Sequence, residues 1–244
     1  MKNRLKAVVQ ARMGSSRLKN KTMRPLKGIC MIEHLFRRIS ACPVIDEIIL
    51  ATSEKKENDE LAAHLLSRGF KVIRGDENDV LSRYIEAEKK FPTQYTFRIT
   101  GDNPLIAFEY LEELALFAET ENLDYTSLAC LPLGMGFELY KSEILLSFEK
   151  LNLEWYCREH VTPYFYENPQ KFAIKNFFVD DLPRINARLT VDTEEDFNLI
   201  NKIYEDLYEN DKPIPTEKIL KYCIENPDLL LQNTHIEQKK YNEK

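Results

Sequence analysis

The stretch Leu5-Lys-Ala-Val-Val-Gln-Ala-Arg-Met-Gly-Ser-Ser-Arg-Leu-Lys-Asn-Lys21 decides the fold. Its first part, Leu5–Gln10, is a nearly continuous apolar run, as expected of a strand buried on both faces. The strand runs straight into a loop holding Gly14, Ser15, Ser16, Arg17 and Lys21. Small residues leave backbone N–H groups free to wrap an anion, and Arg17 and Lys21 add two fixed positive charges. The loop falls at the first β→α turn, where open α/β sheets place their ligands. Two readings stand: a triphosphate grip, or a surface loop with ordinary basic residues. The patterns G-x-x-x-x-G-K-[ST] and G-x-G-x-x-G are both absent.

Outward from this stretch, strand and helix signals alternate. Residues 31–42 carry Ile32, Leu35, Phe36 and Ile39 at helical spacing. Strands are expected at 45–51, 70–73 and 95–99, and helices at 57–67, 80–89 and 108–118. This rhythm predicts an α/β fold, three layers around a mostly parallel sheet. Past about Asp124 the rhythm changes. Strands are expected at 124–128, 137–140, 171–179 and 188–191, and helices at 142–151, 154–166 and 194–208. One domain over 1–233 is expected, with a polar tail over 234–244 that frays.

Composition narrows the function. At 244 residues the chain can bury one large α/β core, and 43% hydrophobic with 30% charged residues is globular. A net charge of −6 argues against a general nucleic-acid binder. No apolar run approaches the roughly 20 residues that span a bilayer. The start, Met-Lys-Asn-Arg, lacks a signal-peptide core. Cys30, Cys42, Cys130, Cys157 and Cys223 are odd in number and form no C-x-x-C, which suits reduced thiols in the cytoplasm. No His/Cys group has zinc spacing, and no Ser-centred nucleophile elbow occurs.

Three further segments carry chemistry. In Arg98-Ile-Thr-Gly-Asp-Asn-Pro-Leu-Ile106 a strand ends, Gly101 turns the chain, and Asp102 is presented where a hard cation meets a bound triphosphate. The alternative is a turn Asp that satisfies backbone N–H groups. In Arg188-Leu-Thr-Val-Asp-Thr-Glu-Glu-Asp196 another expected strand ends in an acid, Asp192, just before a helix. Asp192 either faces the same site or caps that helix, a role open to Thr193 as well. Glu194, Glu195 and Asp196 suit the helix dipole better than a metal. Arg74-Gly-Asp-Glu-Asn-Asp-Val-Leu-Ser-Arg-Tyr84 follows the third strand and opens a helix. Its acids are either dipole partners or site residues.

Taken in this order, the segments resemble the sugar-activating nucleotidyltransferases, above all the CMP-Kdo synthetases and the spore-coat polysaccharide protein F group of cytidylyltransferases. Ala11, Arg12, Ser15 or Ser16, Arg17, Leu18 and Lys21 match A-R-x-x-S-x-R-L-x-x-K. Lys19-Asn20 stands where that family has Pro-Gly, and Asn tolerates the left-handed backbone such a turn needs. Gly101, Asp102, Pro104, Leu105 and Ile106 match Q-G-D-x-P-L-I, and Asp192 falls in the V-D-T-x-E-D segment. The third-strand segment resembles G-x-x-x-D-V-L-x-R-Y, whose loop lines the nucleotide pocket. Gly134-Met-Gly-Phe-Glu138 stands at G-x-D-x-E, with Gly136 in place of an acid.

The resemblance implies a Rossmann-like nucleotide-diphospho-sugar transferase fold and a cytidylyltransferase that passes CMP from CTP to a sugar, with pyrophosphate released. It implies Arg17 and Lys21 as catalytic residues. Ala11, Arg12, Gly14, Ser15, Ser16, Gly75, Asp79 and Arg83 would bind nucleotide. Asp102 and Asp192 would hold Mg²⁺, and Glu138 and Arg188 would meet the substrate. His160 is read as structural. The partners implied are CTP, a small sugar-type acceptor and a second copy of the chain, paired through the aromatic-rich insertion 137–180. Rival readings are a nucleotidyltransferase using another NTP or a sugar or polyol phosphate, a glycosyltransferase of similar architecture, and a non-catalytic nucleotide-binding regulator.

Overall fold

A strand covered on both faces belongs at the centre of its sheet, and Leu5–Gln10 lies there. The computed structural model describes residues 5–15 and 17–243. The order is β1 (Leu5–Gln10), β2 (Pro25–Leu26), β3 (Ile29–Cys30), α1 (Met31–Ser40), β4 (Ile45–Ser53), α2 (Asp59–Ser67), β5 (Lys71–Gly75), α3 (Val80–Lys90), β6 (Tyr95–Thr100) and α4 (Leu111–Thr120). Then come β7 (Tyr125–Ala129), β8 (Glu138–Lys141), α5 (Ser142–Ser147), α6 (Trp155–His160), α7 (Pro163–Tyr166), β9 (Phe177–Phe178), α8 (Glu194–Leu207), α9 (Thr216–Glu225) and α10 (Pro227–Leu230). One sheet runs β5-β4-β1-β6-β8-β7-β9. Only β8 opposes its neighbours, so the sheet is mixed but mostly parallel, with helices on both faces as expected.

Alternation along β1 divides the core. Ala7 and Val9 join Leu35 and Phe36 of α1, Leu61 of α2 and Leu111 of α4. Val8 faces the other way, with Leu81 and Tyr84 of α3, Leu145 of α5 and Phe165 of α7. Lys6 interrupts the apolar run and is fully buried on that second face. It pairs with Glu88 of α3, donates to the Phe91 carbonyl at 2.7 Å, and shares Glu88 with the Tyr140 hydroxyl. Burial lowers the Lys6 pKa, against the opposing pull of Glu88. Removing either partner would strand a buried charge, a loss of about 3–5 kcal/mol.

A third cluster packs α8 and α9 against Leu26, Met31, Leu189 and Val191. Buried Arg38 of α1 ties it down, donating to the carbonyls of Ile106 and Ile214 at 2.6–3.1 Å. The two helices α9 and α10 went unread in the sequence.

Three expected elements need correction. The helix over 154–166 breaks, because Val161 is left-handed at φ 70° and Pro163 must open a new helix. Within 171–179 only Phe177–Phe178 pairs as a strand, apart from one bridge at Ile174. Residues 188–191 form no strand; Arg188 makes a single bridge to Leu133. Among the aromatic residues of the insertion, Phe165 is fully buried against Tyr125, Phe148 and Phe172, Phe172 and Phe177 are half-buried, and Tyr166 and Phe178 are exposed. The tail does not fray out to residue 243, as the site shows below.

His34 of α1 is buried 4.3 Å from the Tyr204 ring and 4.6 Å from the Tyr208 ring, centroid to centroid. Its Nε2–H donates to the Leu26 carbonyl at 2.8 Å. Burial drives its pKa down to about 4. The unfolded chain therefore binds the proton first as pH falls, so stability is lost between about pH 6.5 and pH 4, by up to about 3 kcal/mol. His34→Gln, which keeps a donor, should flatten the stability–pH curve in that window when urea unfolding is followed at several pH values. An unchanged slope would remove His34 as its source.

Candidate active site

The loop after β1 is held from below. The Ala11 N–H donates to the Ala51 carbonyl at 3.3 Å, and the Met13 N–H to the side chain of fully buried Asn58 at 2.8 Å. Leu18 tucks into the α8–α9 cluster. Asn20 takes φ 54° and ψ 23°, the left-handed turn expected of it, and starts the 3₁₀ turn Lys21–Met23. Ser16 lies outside the described residues.

Asp102 reaches this loop because β6 and β1 end together. The Gly101 N–H donates to the Gln10 carbonyl at 2.8 Å, and a Cβ at Gly101 would stand 2.6 Å from that of Ala11. Only glycine allows this approach. Asp192 arrives differently from the expected strand end. Its segment hangs on the 132–134 turn and on Asp102: Leu189 N–H to Leu133 O at 2.7 Å, Val191 N–H to Asp102 O at 2.9 Å. Gly134, at φ 98°, leaves room for the crossing, since its Cβ would lie 2.4 Å from the Thr190 nitrogen.

The two acids converge on Lys21. Its Nζ lies 2.9 Å from Asp192 Oδ1, 2.7 Å from the Val191 carbonyl and 3.7 Å from Asp102 Oδ2. Arg17 stands 3.1 Å from Asp192 Oδ1. Lys21 is thus no free loop lysine; its side chain is 12% exposed. Burial pushes the Asp192 pKa up, but Lys21, Arg17 and Arg188 outweigh it and hold the carboxyl below its ordinary value. Helix capping falls elsewhere: Thr193 and Asp196 form a capping box at α8. Glu194 is engaged by Arg24 at 2.6–2.7 Å.

Arg188 departs from its expected role at the substrate. Its guanidinium is buried and committed to Asp192 Oδ2 at 2.8 Å, Asp196 Oδ1 at 2.9 Å and Gln238 at 2.6 Å. All three of its nitrogens are engaged and it does not line the cleft, so Arg188 orients Asp192 instead. On the question of a metal, Asp102 Oδ1 is buried without a hydrogen-bond partner. An oxygen left open beside a second carboxylate fits a hard cation that takes one or two protein carboxylates and completes its shell from phosphates and water.

These residues line one cleft of about 890 Å³, within the range of small-molecule sites. Ala11, Arg12, Gly14, Ser15, Arg17 and Lys21 form one wall, Thr100 to Asn103 the floor, and Asn78, Val80 and Arg83 a second wall. Arg83 is buried there, with its Nε unpartnered and a donor on the Ala51 carbonyl at 3.3 Å. Arg12 is paired with Glu77 at 2.6 Å across the opening. Asp79 does not line the cleft: it caps α3, accepting from the Ser82 N–H at 3.0 Å, and pairs with Arg158. Gly75 lies behind Arg83, whose Cγ would be 3.0 Å from a Cβ there. An adjoining recess of about 220 Å³ holds Glu138 and shares Arg98, Thr100 and Asn103 with the cleft. Glu138 accepts from Arg98, Tyr125 and Thr162, and so braces the recess.

Sequence reasoning missed Gln10, Leu133, Trp155 and Glu159, and Gln238 to Tyr241 with Glu243, all of which line the cleft. Trp155 and Tyr241, aromatic residues in polar surroundings, were the only signal. His160 also lines it, its pKa lowered by burial and by Arg98. Away from the cleft, Cys30, Glu33 and His64 meet within 4.8 Å. Spacing could not reveal this, since His64 comes from α2. Glu33 there already neutralises Arg37 and Arg68, so an added cation would meet two others.

Comparison with known proteins agrees with this geometry. A family model described as cytidylyltransferase matches residues 6–241. An uncharacterized protein of Methanocaldococcus jannaschii is 37% identical over 241 residues, 97% of each chain. The spore coat polysaccharide biosynthesis protein SpsF of Bacillus subtilis is 31% identical over 229 residues, 91% of this chain and 94% of that one. The solved structure of a cytidylyltransferase from Leptospira borgpetersenii superposes with a TM-score of 0.86 at 26% identity, covering 97% of this chain and all of the other. With the loop, the two acids and the full-length match in agreement, the chain belongs to the cytidylyltransferase family.

Proposed function

We propose that this protein transfers CMP from CTP to a sugar, an acid sugar used in surface polysaccharide or glycan synthesis, and releases pyrophosphate in the cytoplasm. The observation that carries the reading is Lys21 held between Asp102 and Asp192 at the loop side of the cleft. The base preference rests on family membership, the polysaccharide setting on the likeness to SpsF, and the acid-sugar acceptor on the resemblance to the CMP-Kdo synthetases.

An acceptor hydroxyl oxygen forms a bond to the α-phosphorus as the bond from that phosphorus to the bridging oxygen of pyrophosphate breaks. The hydroxyl proton goes to solvent. Such a reaction needs alignment and charge neutralisation rather than a covalent intermediate. Arg17 and Lys21 steady the phosphates, and Arg12 exchanges Glu77 for a phosphate oxygen. The recess beside Glu138 takes the acceptor, where the buried and unpartnered Asn103 Oδ1 is open to a hydroxyl donor. Asp102 and Asp192 would hold Mg²⁺, which when bound stabilises charge on the phosphates.

Pyrophosphate release with a panel of NTPs and acid sugars tests the reaction; turnover with an NTP other than CTP would overturn the base assignment. Lys21→Met should lower turnover about 10²-fold or more, as for a removed oxyanion donor. It should also lower the melting temperature, because two carboxylates lose their shared cation. Near wild-type kcat/KM would sink the phosphate-grip reading.

Asp102→Asn and Asp192→Asn should each lose turnover by orders of magnitude, and the double variant should be little worse than either, as groups acting as a unit are non-additive. Additive losses would mean that the acids serve separate steps. The protein is also read as a homodimer, joined at the edge strand β9 where Phe178 is 55% exposed. Light scattering at micromolar concentration should give twice the chain mass, and a monomer would dismiss the pairing.

A further inference from the structure

The segment whose polar composition marks it for fraying crosses the cleft instead. On one rim, Gln238 Oε1 accepts from Arg188 Nη1 at 2.6 Å. Just before it, buried Asn233 donates to the Arg188 carbonyl at 2.9 Å and to Asp196 Oδ1 at 2.8 Å. On the other rim, the Tyr241 ring lies 5.5 Å from Tyr166, 5.7 Å from Tyr156 and 6.5 Å from His160, centroid to centroid. Its hydroxyl donates to Glu167 Oε1 at 3.0 Å. Between these ties Lys239 and Lys240 line the same cleft as the loop after β1.

We propose that residues 236–243 form a strap that opens to admit the nucleotide and closes over it, with Gln238 a positioning residue for Asp192. This rests on the reading of the cleft as a nucleotide site. The Gln238 end is held by one side-chain hydrogen bond, and the Tyr241 end by its hydroxyl on Glu167, by the His160 ring on its backbone and by ring contacts, exposed ties that can open within a catalytic cycle. The two lysines put positive charge at the mouth, which draws a polyanion inward. Gln238 occupies the outer nitrogen of Arg188 and leaves Nη2 to Asp192 at 2.8 Å. A neutral amide does this without competing with Asp192 for the guanidinium charge.

Trp155, the single tryptophan, lines the cleft beside Tyr156 and reports on it. Stopped-flow fluorescence with CTP and Mg²⁺ should show association and dissociation both about tenfold faster in Tyr241→Ala, which keeps Gln238 and both lysines. Gln238→Ala should raise the Mg²⁺ concentration for half-maximal CTP binding about threefold, with the melting temperature unchanged. Rates equal to those of the full chain overturn the strap, and an unchanged Mg²⁺ requirement overturns the role of Gln238. If the full chain binds no CTP by fluorescence or equilibrium dialysis, the nucleotide reading fails by itself. Trypsin cleavage after Lys239 and Lys240, read by mass spectrometry without any ligand, then decides the strap: faster cleavage in Tyr241→Ala supports it and equal cleavage overturns it.

Discussion

Two carboxylates facing one cleft need a cation between them, and Lys21 supplies it. Unit charges about 4 Å apart interact by about 4 kcal/mol at the effective dielectric of a protein surface. The geometry around Lys21 follows from this constraint. Asn20 turns left-handed so that the next residue points inward. Gly101 lets β6 end against β1, and Gly134 lets the Asp192 segment cross beneath it. A larger side chain at either glycine would separate the acids that Lys21 joins.

The support continues behind Asp192. Arg188 holds its second oxygen, Asp196 holds Arg188, and Asn233 holds both. This chain links the head of α8 to the cleft, and explains why an arginine that looks substrate-facing in sequence is buried. It also gives the site an acid limit. The depressed carboxyl of Asp192 contributes stability that is complete above the ordinary carboxylate pKa and is lost as pH falls through its folded value. Buried His34 works in the same direction at higher pH. Fold and site therefore weaken together toward acid.

Much of this was legible in the sequence where local chemistry decides the outcome. The apolar run before the loop gave β1 its central place, and Asn20, standing where the resembled family has glycine, foretold a left-handed backbone. Gly101 before Asp102 forecast a tight turn that presents an acid. Legibility failed where a partner lies far along the chain. Arg188 looks available until Asp192, Asp196 and Gln238 surround it, and Glu138 until Arg98, Tyr125 and Thr162 do. Asp79 reads as a site acid, yet Arg158 and the head of α3 claim it. Asp192 was expected at a strand end; its position is set by two hydrogen-bonded crossings with no sheet register to announce them.

The same pairing shapes how the cleft meets its ligand. Arg12 is matched with Glu77, Arg17 with Asp192, and Lys21 with both Asp102 and Asp192. Each of these three cations is thus already oriented, and none of the three gains a phosphate without giving up a carboxylate. A lone phosphate offers too little to displace several such pairs at once. A ligand with linked phosphates can exchange them together, since the first contact makes the next one intramolecular. In a chain of net charge −6, attraction at long range is weak, so discrimination rests on this local exchange. Acids that hold the cations in place before binding also set the threshold that a ligand must pass, which favours the polyphosphate over the abundant simple anions of the cell.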